Sequence, residues 1–108
     1  MTAAALGLTL ALLLGAEPEQ APPDPRDNGP DSIDVSSYPQ DQQKKYGVFS
    51  GKCVKCHPLG RSVNSHFSAN EWKRYMKKML RRPNSGINEE QAALIYDFLK
   101  FHATKMGY

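Results

Sequence analysis

The sequence predicts a small all-α domain of about three helices in its C-terminal two thirds. Two helix-capping patterns support this fold class, as do apolar residues that recur at helical spacing and the lack of an alternating run long enough for a strand. The chain has 108 residues, so we expect one domain, covering residues 38–108. A domain of this size buries little surface, which favours a metal, a disulfide or a large cofactor completing its core.

Residues 1–16 form an N-terminal apolar segment rich in alanine and leucine. The segment is shorter than the roughly 20 residues that a membrane span needs. It is typical of the central region of a secretory signal peptide. We therefore expect export to the periplasm, with the segment either removed or retained as an N-terminal anchor.

Residues 17–37 are acidic and contain five prolines, with little that is apolar. This composition predicts a disordered linker. Residues 1–41 carry a net charge of −6 (one basic and seven acidic side chains), whereas residues 42–108 carry +9 (13 basic and four acidic). The basic domain is expected to bind acidic protein surfaces. No recognised motif supports nucleic-acid binding.

The first helix is expected between Pro39 and Gly51, with Tyr46 and Phe49 on one side. It leads directly into a cysteine motif. Residues 58–67 are rich in Gly, Ser and Asn, and are predicted to be a loop long enough to wrap around a flat ligand.

Each of the next two helices begins with a capping pattern. Ser68 and Glu71 form a capping box, so the second helix begins at Ala69 and ends before Pro83. Asn88, three residues before Gln91, gives the corresponding signal for the third helix, which extends to about Lys105. The third helix carries apolar side chains at helical spacing: Leu94, Ile95, Phe98 and Phe101.

The main chemical motif is Cys53-Val-Lys-Cys56-His57, a CxxCH sequence. This spacing is typical of covalent haem attachment, because the two thiols reach the two vinyl groups of one porphyrin while the histidine binds the iron. A strained Cys53–Cys56 disulfide would leave His57 unexplained, zinc would need two further ligands, and a thioredoxin-like site needs a sheet. The sequence predicts one covalent haem c.

The sixth iron ligand has several candidates. Met76 and Met79 lie on the apolar face of the second helix, and thioether ligands suit electron carriers because they raise the reduction potential. Either methionine is equally compatible with an ordinary core position. His66 and His102 are candidates only if no methionine binds the iron.

From about Tyr38 onward the chain resembles the small single-haem class I cytochromes c, and specifically the short bacterial forms whose middle helix carries a tryptophan seven residues before the ligand methionine. Here these residues are Trp72 and Met79. The resemblance implies that Met79 is the distal ligand, that Met76 lies in the core, and that Phe49 lies near Phe98 of the last helix.

The chain departs from this family at the haem histidine. Pro58 follows His57 directly and the next proline is Pro83, whereas the family often has a proline ten to fifteen residues after the histidine. The backbone acceptor for His57 is therefore unassigned, although ligand histidines usually have one. Trp72 and Arg61 are candidates to contact the haem propionates, with burial in the core and plain solvation as their respective alternatives.

Together these features predict a monomeric, periplasmic electron-transfer protein and not an enzyme. Its haem iron would be ligated by His57 and Met79, and its redox partners would present acidic surfaces. Two alternatives remain at this stage. One is a haem-based sensor or peroxidase-like protein with a labile sixth ligand, and the other is a haem subunit of a larger redox complex.

Overall fold

The computed structural model describes residues 22–54 and 57–108, and every regular element within them is helical. The elements are a 3-10 turn (Pro25–Asn28) and the helices α1 (Gln40–Lys52), α2 (Leu59–Val63), α3 (Ala69–Arg81) and α4 (Glu89–Met106). The all-α class is confirmed, and α1, α3 and α4 are the three predicted helices. The short helix α2 is additional and lies in the predicted loop. The predictions for residues 1–21 and for Cys56 lie outside the described residues.

The centre of the core lies between α1 and α4. Phe49, Ile95 and Phe98 are fully buried there. The rings of Phe49 and Phe98 stack with their centroids 5.7 Å apart, and the ring of Tyr46 lies 5.2 Å from that of Phe98. Such aromatic pairs contribute about 0.5–1.5 kcal/mol each beyond the area they bury. The expected proximity of Phe49 and Phe98 is confirmed.

Helix α3 begins at the predicted capping box and packs against α4. The Glu71 N–H donates to the Ser68 hydroxyl and the Ser68 N–H donates to the Glu71 carboxylate, both at 3.3 Å. Trp72 and Met76 are buried on the inner face. The ring of Phe67, just before the helix, lies 4.8 Å from that of Trp72. The expected core position of Met76 is therefore confirmed.

Helix α4 has a second capping box and a glycine stop. The Gln91 N–H donates to the Asn88 side chain at 2.8 Å, and the Asn88 N–H donates to the Gln91 side chain at 3.1 Å. The helix ends at Gly107, whose φ of 77° lies in the left-handed region that glycine adopts without steric cost. Within the described residues, no helix is long and apolar enough to cross a membrane.

Residues 22–37, the described part of the predicted linker, lie against the helical domain. Asp24 caps the 3-10 turn by accepting from the Arg26 N–H. The Asn64 amide, just after α2, donates to the backbone carbonyls of Arg26 and Pro30 at 2.9 Å each. This arrangement differs from the disordered linker predicted for residues 17–37.

Two apolar side chains explain why this segment does not behave as its composition predicts. Ile33 and Val35 pack against the core. The Ile33 N–H also donates to the Tyr46 hydroxyl of α1 at 3.0 Å. A proline-rich, acidic composition is typical of disordered segments in general. In this segment, the specific contacts of Ile33 and Val35 hold the backbone against the helical domain.

Candidate functional site

The segment that follows α1 carries Cys53 and His57, the cysteine and the histidine of the CxxCH motif that the structure describes. Cys53 is the C-cap of α1, and its N–H donates to the Phe49 carbonyl at 3.0 Å. The half-buried His57 follows, with its Nδ1 3.2 Å from the Pro58 carbonyl. With the proton on Nδ1 donated to this carbonyl, Nε2 is the nitrogen available to a metal. The structure thus supplies a backbone acceptor for His57 that sequence reasoning left unassigned.

His57 and both candidate methionines line the same cavity, which we call the methionine cavity. Its other walls are largely apolar, including the side chains of Tyr75 and Ile87. Met76 is buried, while Met79 is half-buried near the end of α3. Cys53 also lines this cavity. The fold therefore brings together a thiol, an imidazole and two thioethers that lie up to 26 positions apart in the chain.

These side chains fit haem c chemically, because an imidazole nitrogen and a thioether sulfur are ligands that haem iron takes in electron carriers. The methionine cavity is about 20 Å³ in volume, enough for about one water molecule. A porphyrin is far larger than this space. The donor set fits the group, and the His57 segment and α3 would have to separate to accommodate it.

A second cavity of about 230 Å³ shares His57 and Tyr75 with the first and contains the two candidate propionate contacts, Arg61 and Trp72. We call it the arginine cavity, because three arginines from three different elements line it: Arg26, Arg61 and Arg82. Three guanidinium groups around one cavity form an environment suited to carboxylates or other anions. The structure therefore places both propionate candidates next to His57.

Arg61 already has an anionic partner in this structure. Its Nη2 and Nε donate to the two carboxylate oxygens of Asp27 at 2.6 and 3.0 Å, and its Nε lies 3.8 Å from an oxygen of Asp24. The hydrogen bonds from Arg61 lower the pKa of Asp27, and the same bonds raise the pKa of Arg61. This bidentate geometry is the strong form of an arginine–carboxylate pair.

The other two histidines lie away from the methionine cavity. The ring of the exposed His66 stacks on that of Tyr108 with centroids 4.5 Å apart. A 2.7 Å hydrogen bond joins Nδ1 of His102 and the Tyr38 hydroxyl, and burial lowers the pKa of the His102 imidazole. Neither histidine lines the cavity shared by His57 and Met79.

The outer face of α3 is strongly basic. Five exposed cations lie on it, and none of them forms an ion pair with another described residue. They are Lys73, Arg74, Lys77, Lys78 and Arg81. We call this surface the basic face of α3.

Sequence reasoning missed the contribution of the N-terminal segment to the site. Arg26 lines the arginine cavity, and Asp24 and Asp27 hold Arg61. A signal for the turn was present, because an aspartate followed by a proline is a common start of a helical turn. Its docking on α2 depends on contacts across more than 30 positions, which no local pattern reveals.

No group of three or more His, Cys, Asp or Glu side chains positioned to hold a metal ion occurs among residues 22–54 and 57–108. No family model, curated protein or solved structure matches the chain. The resemblance to class I cytochromes c thus rests on the motifs quoted above.

Proposed function

We propose that this chain is a periplasmic electron-transfer protein that carries one haem c attached through Cys53 and Cys56, with His57 and Met79 as its axial ligands. The observation that supports this most strongly is the shared cavity of His57 and Met79, because the two residues belong to different elements and are 22 positions apart. The CxxCH motif supplies the covalent attachment that small domains of this kind use to complete their core.

Each side chain has a defined task in this proposal. The Pro58 carbonyl fixes the orientation of the His57 ring by accepting from Nδ1, which leaves Nε2 for the iron. Tyr75, Met76 and Ile87 provide apolar walls that exclude water. When bound, the haem iron would supply the one-electron couple. A dry, apolar surrounding and a thioether ligand both favour the reduced form of that couple.

The arginine cavity offers guanidinium groups that can pair with the two propionates of the porphyrin. Arg61 and Arg82 would neutralise carboxylates there, and Trp72 offers an indole N–H at the same cavity. Because His57 lines both cavities, a flat ligand bound by this histidine could reach the arginines with its polar edge while its apolar part faces the methionines.

The basic face of α3 is the proposed docking surface for a redox partner. Its five exposed cations create a positive field on the helix that carries Met79. Such a field raises association rates with acidic partners while keeping the complex weak enough for turnover. An acidic protein surface is therefore the expected partner type, and the protein is expected to act as a monomer.

Paired substitutions of the two methionines test the ligand assignment. In protein matured with covalently attached haem, Met79→Ala should abolish the methionine-to-ferric-iron charge-transfer band and lower the reduction potential. Met76→Ala is the matched control, since it removes a buried methionine from the same helix face. It should retain the band and lose about 2–5 kcal/mol of stability.

A mass spectrum of the same preparation tests the attachment itself. The expected mass increase equals one haem, and its absence from the wild-type protein would overturn the proposed function. If Met79→Ala instead leaves the ferric spectrum and potential unchanged, Met79 is not a ligand and a sensor or peroxidase-like role replaces electron transfer as the better proposal.

A further inference from the structure

The N-terminal segment around the 3-10 turn contacts α2 through several different kinds of bond. The carboxylate of Asp27 holds Arg61 bidentately, and the Arg26 guanidinium donates to the Ser65 hydroxyl at 2.8 Å. In addition, the Asn64 amide binds two backbone carbonyls of the segment. Side-chain and backbone groups on both sides thus participate in one interface. We call residues 24–30 the strap.

Two glycines show how closely the strap and α2 approach. A Cβ atom added to Gly29 of the strap would lie 2.4 Å from the side-chain nitrogen of Asn64. A Cβ added to Gly60 of α2 would lie 3.1 Å from the Arg26 carbonyl. The interface is therefore packed at backbone distance, and it is not a pair of long side chains meeting in solvent.

The ion pairs within this interface are shielded from water. The side chains of Arg61 and Asp27 are each 19% exposed, and that of Asp24 is 22% exposed. Shielding and bidentate geometry both strengthen an ion pair relative to an exposed one. The strap therefore restrains α2 more firmly than a surface salt bridge would.

Apart from the strap, α2 is held by Leu59, which is buried in the core, and by Val63, which packs against the core. It has only five residues, and its N-cap Pro58 makes no side-chain capping bond. Isolated helices of this length are unstable in water, so its position depends on tertiary contacts. The segment with His57 leads directly into α2, so what restrains α2 also restrains His57 against α3.

From these contacts we infer that the strap is a latch, a segment that keeps a site closed until it is released. Asp24 and Asp27 hold Arg61 and thereby keep α2 and the His57 segment closed over α3. When these two carboxylates release Arg61, a flat ligand that bears two carboxylates gains access to His57. Arg61, which Asp27 holds, also lines the arginine cavity. A carboxylate of the ligand would therefore take the place of the Asp27 carboxylate on Arg61. This inference rests on the proposed function for the identity of the ligand. The restraint of α2 by the strap is independent of it.

The test compares Asp24→Asn/Asp27→Asn with Asp31→Asn in the full chain. Asparagine keeps the size of the side chain and removes its charge. Asp31 is an exposed acidic residue that directly follows the strap and takes no part in the contacts described for it. The first measurement is amide hydrogen exchange of residues 61–65 in protein without haem. The double variant should exchange these amides about tenfold faster or more, while Asp31→Asn matches the wild type.

The second measurement is the rate of ferric haem uptake by the same three proteins, followed by the haem absorption band. The double variant should take up haem several-fold faster than Asp31→Asn, because only the double variant has lost the latch. The difference should persist at high salt, where the one additional charge change in the double variant is screened. Amides of residues 95–103 in α4 serve as an internal reference. Unchanged exchange there shows that the domain remains folded.

Two results would overturn the latch. One is equal exchange of residues 61–65 in the double variant and Asp31→Asn. The other is accelerated exchange without accelerated haem uptake.

If the wild type and both variants take up no haem and mature protein carries none, the proposed function fails instead. Faster exchange in the double variant would then still confirm the restraint of α2. If the double variant loses protection in α4 as well, Arg61→Lys replaces it, since lysine keeps the charge and cannot form the bidentate pair.

Discussion

His102 shows at the residue scale how burial gives a side chain a measurable property. A 2.7 Å hydrogen bond joins its Nδ1 to the Tyr38 hydroxyl, and its ring stacks on that of Phe98 at an interplanar angle of 7°. Desolvation, with a smaller contribution from the charge of His66, lowers the pKa of His102 below its ordinary value of 6.5. The folded state therefore favours the neutral imidazole.

The pH dependence of stability tests this property. Below about pH 6.5 the unfolded chain binds a proton at His102 that the folded chain resists, so the free energy of unfolding should fall as the pH is lowered, by at most about 1.4 kcal/mol per pH unit. Urea unfolding between pH 7.5 and 5.5 should show a smaller decrease in the free energy of unfolding for His102→Gln than for the wild type. His66→Gln, which alters an exposed histidine, should keep most of the wild-type slope. If the free energy of unfolding depends on pH equally in His102→Gln and the wild type, His102 is not the source of this pH dependence.

The sequence allowed the candidate reactive residues to be proposed, but it did not reveal their hydrogen-bond partners. The roles proposed for Cys53 and His57 come from a local motif, which needs no knowledge of the fold. His102 was considered only as an alternative iron ligand, because its partner Tyr38 lies 64 positions earlier in the chain. Arg61 was considered for a propionate, and its pairing with Asp27 over 34 positions was equally hidden.

The helix caps are the clearest features at the element scale, and α4 depends on one of them. Asn88 accepts from the Gln91 N–H and satisfies one of the backbone donors that the first turn leaves unpaired. Asn88→Ala should therefore lower the free energy of unfolding by about 1 kcal/mol, as measured by urea denaturation. Ser68→Ala should have a similar effect at α3. Ser37→Ala removes an exposed hydroxyl that caps none of the described helices, and its stability should stay within about 0.5 kcal/mol of the wild type.

The capped helices could be predicted because a capping box is a local signal only four residues long. The boundaries of α3 and α4 follow directly from Ser68 and Asn88. Helix α2 carries no such signal, since its N-cap is Pro58 and its five residues are held by the strap. Its existence is a consequence of tertiary contacts, and for this reason the sequence predicted a loop there.

Charge is distributed unevenly over the whole molecule. The acidic side chains of the strap pair with arginines beside the arginine cavity, whereas the basic face of α3 has no acidic neighbour among the described residues that forms an ion pair with it. The sequence predicted the acidic and basic halves. It did not predict that part of the acidic half would fold back onto the domain and leave the positive field concentrated on α3.

Electron exchange with a carboxylate-terminated electrode tests this field in the haem-loaded protein. The wild-type rate should decrease with added salt, because screening weakens attraction between exposed charges. Lys73→Glu/Lys77→Glu should reduce the low-salt rate several-fold and remove most of the salt dependence. Lys44→Glu/Lys105→Glu makes the same change in net charge on α1 and α4. This variant should retain most of the low-salt rate and most of the salt dependence. Equal losses in the two double variants would show that net charge, and not the basic face of α3, controls docking.

The small volume of the methionine cavity has a consequence for the order of events in the life of the protein. A space of about 20 Å³ between the CxxCH segment and the methionines cannot admit a porphyrin once the domain has closed. In the proposed function, the thioether bonds must then form while α2 and His57 are still separated from α3, before the strap closes. Haem attachment would precede closure of the strap, which would then seal a cofactor that is already in place.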